Sequence, residues 1–198
     1  MGRAKRRIAP HSTSAGARHW SQGEETVSQV ITDLAEIARI SELNWDRNME
    51  FRTFLKCSSR WSGKRLDRLV HEVLAEVEPH IDCTTCGNCC KEMGVAVEPE
   101  EIERLAKHMG ISAEEFENRH VAVDEGEKYM PETPCPFLGG TLCTIYEDRP
   151  KVCREFPYLH KDEFSTRLLG VVSNTVLCPI VYNVYEELKR RTGWRPRR

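Results

Sequence analysis

Apolar positions recur at helical spacing in the first third of the chain. Val27, Val30, Ile31, Leu34, Ile37 and Ala38 fall at i, i+3 and i+4, and Trp45, Met49, Phe54 and Leu55 continue the same face. Ser62 and Gly63 interrupt it. A second stripe of Leu66, Leu69, Val70, Val73, Leu74 and Val77 stops near Pro79. Together the stripes predict a packed helical hairpin over 23–79. Past residue 80 the pattern shortens. "MGVAVEPEEIERLAKHMG" reads as a short strand, then a helix with Pro99 in its first turn and Gly110 at its end. Ser112 and Glu115 predict a capping box for another short helix. Gly139-Gly140, between two short apolar segments, predicts a hairpin. "RLLGVVSNTV" predicts a further strand, and Val181, Val184, Tyr185 and Leu188 a closing helix. The expected fold class is α+β, mainly helical, with no internal repeat.

Charge divides the chain. The net charge is −2, yet residues 1–19 carry five basic residues and no acid, and residues 189–198 carry six, which leaves −13 on the body. Residues 1–22 lack periodicity and read as a disordered basic tail. The expected organisation is a basic tail over 1–22, the hairpin over 23–79, a cysteine-rich module over 80–188 and a second basic tail over 189–198. The tails suit solubilising ends, or contacts with nucleic acid, ribosome or an acidic partner. No RNP-like, helix-turn-helix or zinc-finger spacing supports specific readout. No apolar run approaches the ~18–20 residues of a membrane span, so no membrane partner is expected. "APHSTSAGARHW" is not the apolar core of a signal peptide. A cytoplasmic location follows as the expectation, where nine cysteines are thiols or metal ligands rather than disulfides.

Eight of those cysteines are Cys83, Cys86, Cys89, Cys90, Cys135, Cys143, Cys153 and Cys178. Cys57 lies among the helices and reads as a small buried apolar residue. In "CTTCGNCC", Cys83-x-x-Cys86-x-x-Cys89 lets one loop offer three thiolates. Gly87 permits the tight turn, with its N–H available to a bound sulfur. Bacterial ferredoxins hold a [4Fe–4S] cluster with the same C-x₂-C-x₂-C run and a further cysteine before proline; Cys135 and Cys178 both precede proline here. Zinc competes, through tetrahedral Cys₄ sites. Soft thiolates argue against magnesium and calcium. Side chains of adjacent Cys89 and Cys90 are expected to point apart and to serve two centres. Cys83, Cys86 and Cys89 would form most of one, and Cys90 would join partners among Cys135, Cys143, Cys153 and Cys178, with the pairing left open. A disulfide framework lacks a secretory context, and Cys83-Cys86 lacks the strand–motif–helix setting of a thioredoxin-like pair.

"CTTCGNCC", "CPFL", "CTIYEDRPKVCREFP" and the late "CP" together resemble the CxxCxxCC family of zinc- or iron-chelating proteins, also called the YkgJ-type cysteine cluster family. The resemblance covers about residues 83–180. It implies metal chelation, with all eight cysteines present, without settling zinc versus iron; the C-x₂-C-x₂-C run and the cysteine–proline pairs make an iron–sulfur cluster, [4Fe–4S], the preferred expectation over zinc. A longer flagellin lysine N-methylase branch is similar in its cysteine motif. It makes cluster-linked redox or protein-lysine methyl transfer an alternative, beside a metal-stapled RNA, ribosome or protein interaction module.

Residues around the cysteines receive supporting roles. Arg149 and Arg154 offset thiolate charge, with an ion pair from Arg149 to Glu147 or Asp148 the competing reading. Phe137, Tyr146 and Phe156 form an apolar shell or plain core, and Pro150 sets the turn that aims Cys153. His80 is a spare ligand. No H-E-x-x-H, G-x-S-x-G, P-loop or G-x-G-x-x-G is present, so no catalytic residues are assigned. So small a module is expected to depend on its metal for folding.

Overall fold

A computed structural model describes Val27 and residues 29–197. The 1–22 tail lies outside the described residues. Of the described residues 59% are helical, with a few short antiparallel strands, a mainly helical α+β fold. Helices α1 (Leu34–Leu43), α2 (Trp45–Cys57) and α3 (Gly63–Val77) come first. The first helix starts later than the apolar spacing suggests. Asp33 caps it by accepting from Glu36 N–H at 2.7 Å, and Ile31 stays outside because a distant side chain claims its backbone. Ile31 N–H donates to Asn183 Oδ1 (2.9 Å), and Asn183 Nδ2 donates to Ile31 O (2.7 Å). One amide thereby pairs with both backbone groups of Ile31, and a tertiary contact overrides local pattern. Helix α3 buries the predicted stripe from Leu66 to Val77.

The middle of the chain carries the short elements. These are α4 (Cys83–Cys86), α5 (Asn88–Glu92), strand β1 (Val95–Ala96), α6 (Pro99–Met109) and α7 (Ala113–His120). Strands β2 (Ala122–Asp124) and β3 (Glu127–Met130) complete an antiparallel sheet in the order β1-β3-β2, with Val95 opposite Met130 and Ala122 opposite Tyr129. The caps of α6 are those expected: Pro99 in the first turn and Gly110 left-handed at φ +70°. Ser112 Oγ accepts from Glu115 N–H at 3.1 Å and starts α7. The predicted hairpin is β4 (Leu138–Gly139) with β5 (Leu142–Cys143), turned at left-handed Gly140.

Helices α8 (Lys151–Glu155), α9 (Leu168–Asn174) and α10 (Pro179–Arg191) close the chain. Residues 168–174 were expected as strand and are helix. A short apolar run has no decisive period, and burial of Leu168, Val171 and Val172 is served equally well by one helical face. Cys57, expected buried, is exposed at the end of α2. Among the described residues no single helix is long and apolar enough to cross a membrane.

Two apolar cores result. The first joins both ends of the chain: Phe51, Leu66, Val70 and Val73 pack with Leu159, Leu168, Val172, Tyr185 and Leu188. Tyr185 is fully buried, and its hydroxyl donates to Asn48 O at 2.8 Å. The second core holds Val95, Ile102, Leu105, Phe116, Met130, Phe137 and Ile145. Basic residues at 189–191 belong to the last turn of α10, where Lys189 pairs with Glu186, Arg190 with Glu187, and Arg191 with Glu187 and Glu76.

Candidate metal centre

The cysteine loop is two short helical turns joined by a forced reversal. Asp82 starts α4 by accepting from Thr84 N–H (2.8 Å) and Thr84 Oγ1 (2.7 Å). Gly87 ends it at φ +61°. A Cβ there would also stand 2.6 Å from Thr141 O, so glycine is required both by conformation and by contact with the β4–β5 turn. Gly87 N–H donates to Cys83 O at 3.3 Å. It closes the turn, rather than facing a sulfur as expected.

Two hydrogen bonds fasten this loop to the two cores. Asn88 Nδ2 donates to Leu177 O at 2.8 Å, beside Cys178 and on the first core's side. Cys135 N–H donates to Cys90 O at 2.7 Å, on the second core's side. The doubled cysteine therefore sits at a structural boundary.

The eight cysteines divide accordingly. Cys83, Cys86, Cys89 and Cys178 line one cleft, whose walls include Ile81, Phe156, Leu177 and Pro179. Cys90 is the neighbour whose charge is felt at Cys135, Cys143 and Cys153, and these three pack against the second core. The sequence left Cys178 among the partners of Cys90; the structure brings it to the first group instead. A signal was present, since Cys178-Pro179 is the remote cysteine–proline pair that accompanies a C-x₂-C-x₂-C run. Asn88, which holds the two segments together, carried no sequence signal. Cys89 and Cys90 do not point apart as expected: their sulfurs lie 4.0 Å from each other. Among the described residues no group of three or more His, Cys, Asp or Glu side chains is placed so that it could hold a metal ion without side-chain rearrangement. The backbone gathers the thiols, and one χ1 step moves a sulfur by about 3 Å.

Electrostatics follow from burial and crowding. Burial pushes the Cys153 thiol up to about 12, helped by Cys90, Cys135 and Cys143. Burial likewise pushes Cys178 up to about 12, while the N–H groups of Val181 and Ile180 at the start of α10 act the other way. Burial also raises Cys83, Cys135 and Cys143. The Cys89 contact, then burial, raise Cys90. Backbone N–H groups face two more sulfurs, Phe137 at Cys135 and Ile145 at Cys143, and favour their thiolates. Buried thiols supplied with N–H donors fit a thiolate-ligated metal: each ligand gives up its proton to the ion's charge, and the donors hold the resulting anion.

Arg149 reaches both groups. Its guanidinium lies 3.7 Å from the Tyr146 ring centroid and donates to Tyr146 O. Its charge favours the thiolates of Cys83 on one side and of Cys90, Cys143 and Cys153 on the other. The competing ion pair is not the one formed: Asp148 Oδ2 meets His108 Nε2 at 3.0 Å instead. Arg154 is exposed and donates only to Glu147 O at 3.5 Å. Phe137 is buried in the second core, and Phe156 walls the cleft. Pro150 O accepts from Cys153 N–H at 3.0 Å, at the start of α8. His80 is exposed and does not line the cleft.

Residues 82–169 match the sequence model of the CxxCxxCC family, described as "Putative zinc- or iron-chelating domain". That span holds seven of the eight cysteines and ends before Cys178, which stands outside it at the N-cap of α10. No curated protein and no solved structure matches the chain.

Proposed function

We propose, for a chain whose residues 82–169 match a metal-chelating domain, that it holds two metal centres, each on its own cysteine quartet. Cys83, Cys86, Cys89 and Cys178 bind one, and Cys90, Cys135, Cys143 and Cys153 the other. The observation that carries this reading is the division of the thiols at Cys89-Cys90 into an apolar-walled cleft and a group on the second core.

The first centre is read as a [4Fe–4S] cluster. A C-x₂-C-x₂-C loop facing a remote Cys-Pro repeats the bacterial ferredoxin ligand pattern, and the apolar walls limit water at the site. The second quartet is an all-thiolate set for a further iron–sulfur centre or zinc, both of which soft ligands select. When bound, such a group supplies either electron storage or a structural crosslink. The chain's own residues hold it, exclude water and offset its charge. Four thiolates per centre leave no open position, as in structural or electron-transfer sites rather than hydrolytic zinc. Nine free cysteines fit a reducing compartment, and the cytoplasm is the proposed location.

Anaerobic purification followed by iron, zinc and acid-labile sulfide analysis tests the reading. Iron with matching sulfide is expected. A colourless protein with stoichiometric zinc, no iron and no sulfide would overturn the cluster.

A further inference from the structure

The α2–α3 corner carries five exposed cations within thirteen residues: Lys56, Arg60, Lys64, Arg65 and Arg68. None has a carboxylate partner among the described residues. Arg60 and Arg65 instead stack on Trp61, with guanidinium carbons 5.2 and 4.7 Å from its ring centroid. These cation–π contacts place the two guanidiniums at Trp61 without using their N–H groups. The one acid of the stretch, Asp67, is buried and faces inward, accepting from the N–H groups of Glu163 (3.1 Å) and Phe164 (2.9 Å). Glu163 and Asp162 thus stand at one edge, and the rest of the corner is basic. This concentration lies in a body whose charge is otherwise acidic.

We propose that this corner is a docking surface for the phosphate backbone of a nucleic acid. Paired, planar donors match phosphate oxygens. Trp61 is covered by its arginines and cannot stack a base, so recognition is of backbone and not of sequence. The exposed large apolar residues, Leu43, Trp45, Val123, Leu142 and Leu169, all lie elsewhere in sequence. Residues 56–68 themselves therefore present no exposed large apolar anchor of the kind a membrane-inserting or protein-binding face uses. None of the five cations lines the cysteine cleft, so this surface stands independently of the metal reading.

The test measures binding of the full chain to a short labelled duplex of arbitrary sequence, by fluorescence anisotropy across a salt series. The fourfold variant Arg60→Gln, Lys64→Gln, Arg65→Gln, Arg68→Gln is expected to lower the log–log salt slope by about 3 to 4, at about 0.9 per phosphate contact. Lys56→Gln with Lys64→Gln leaves the Trp61 stack intact and is expected to lower it by about 2. Circular dichroism checks the fold of both. Unchanged slopes in both variants overturn the proposal. So does binding lost only when Arg3, Lys5, Arg6 and Arg7 become Gln. So does capture by anionic vesicles or polyglutamate with none by the duplex.

Discussion

Cys89 and Cys90 are neighbours with sulfurs 4.0 Å apart, yet they serve different groups of thiols. Cys89 lines the cleft that Cys178 closes from α10, while Cys90 faces Cys135, Cys143 and Cys153 on the second core. A doubled cysteine is a poor pair of ligands for one ion. Here it joins the two thiol groups, each proposed to hold a centre, across a single peptide unit.

Gly87 makes that arrangement possible. Gly87→Ala places a Cβ against Thr141 O at a positive φ. It is expected to destabilise the chain by roughly 1–3 kcal/mol and to weaken both quartets together, since Cys86 of the first quartet precedes it and Thr141, which the new Cβ would strike, stands two residues before Cys143 of the second. Thermal unfolding with metal content on the same samples checks this.

Asn88→Ala removes the clamp to Leu177 O. The expected cost is about 1 kcal/mol. The damage should fall on the first centre, because the clamp holds Cys178 beside the loop. Chelator challenge followed by metal analysis would show the first centre released faster and the second retained; equal loss from both would contradict the assignment.

Arg149 offsets thiolate charge in both quartets. Arg149→Gln is expected to weaken metal retention about tenfold, or about 1.4 kcal/mol. Arg149→Lys keeps the charge but loses the flat stack on Tyr146, and should fall between. Competition with a metal-binding dye reads both.

Metal-free protein should lose stability as pH rises from about 9, the ordinary thiol value, to about 12, where Cys153 and Cys178 titrate in the folded state. In that window the unfolded chain has released protons that the folded chain still holds, so the slope of stability with pH is negative. The contribution is fully present below the window. Urea unfolding of chelated protein at stepped pH measures it. The loaded protein should not show the loss, because its thiols are already deprotonated on the metal.

Much of this was legible in the residues, and the failures have physical causes. Pro99, Gly110, Ser112 and Gly140 occupy the caps and turn their chemistry implies, because a cap is decided within four residues. Of the eight cysteines, spacing grouped Cys83, Cys86 and Cys89, which line one cleft. The partner of Cys178 was not evident, because a side chain 89 residues away decides it, through Asn88 on Leu177 O. The same distance effect moved the start of α1: Asn183 captures the backbone of Ile31, 152 residues off. The 168–174 segment shows the limit of periodicity, since seven mostly apolar residues fit strand and helix equally. Arg149 was placed near the ligands by sequence, but its contact with Tyr146, and that of Asp148 with His108 from α6, are tertiary choices that local spacing does not carry.

The division into two quartets is tested most directly by counting metal and sulfide per chain in Cys178→Ser and, separately, Cys153→Ser. Each variant should lose one centre and keep the other, read as a drop in the metal, and for an iron–sulfur centre the sulfide, of that centre alone. Loss of the same centre in both variants, or unchanged content in either, would contradict the assignment.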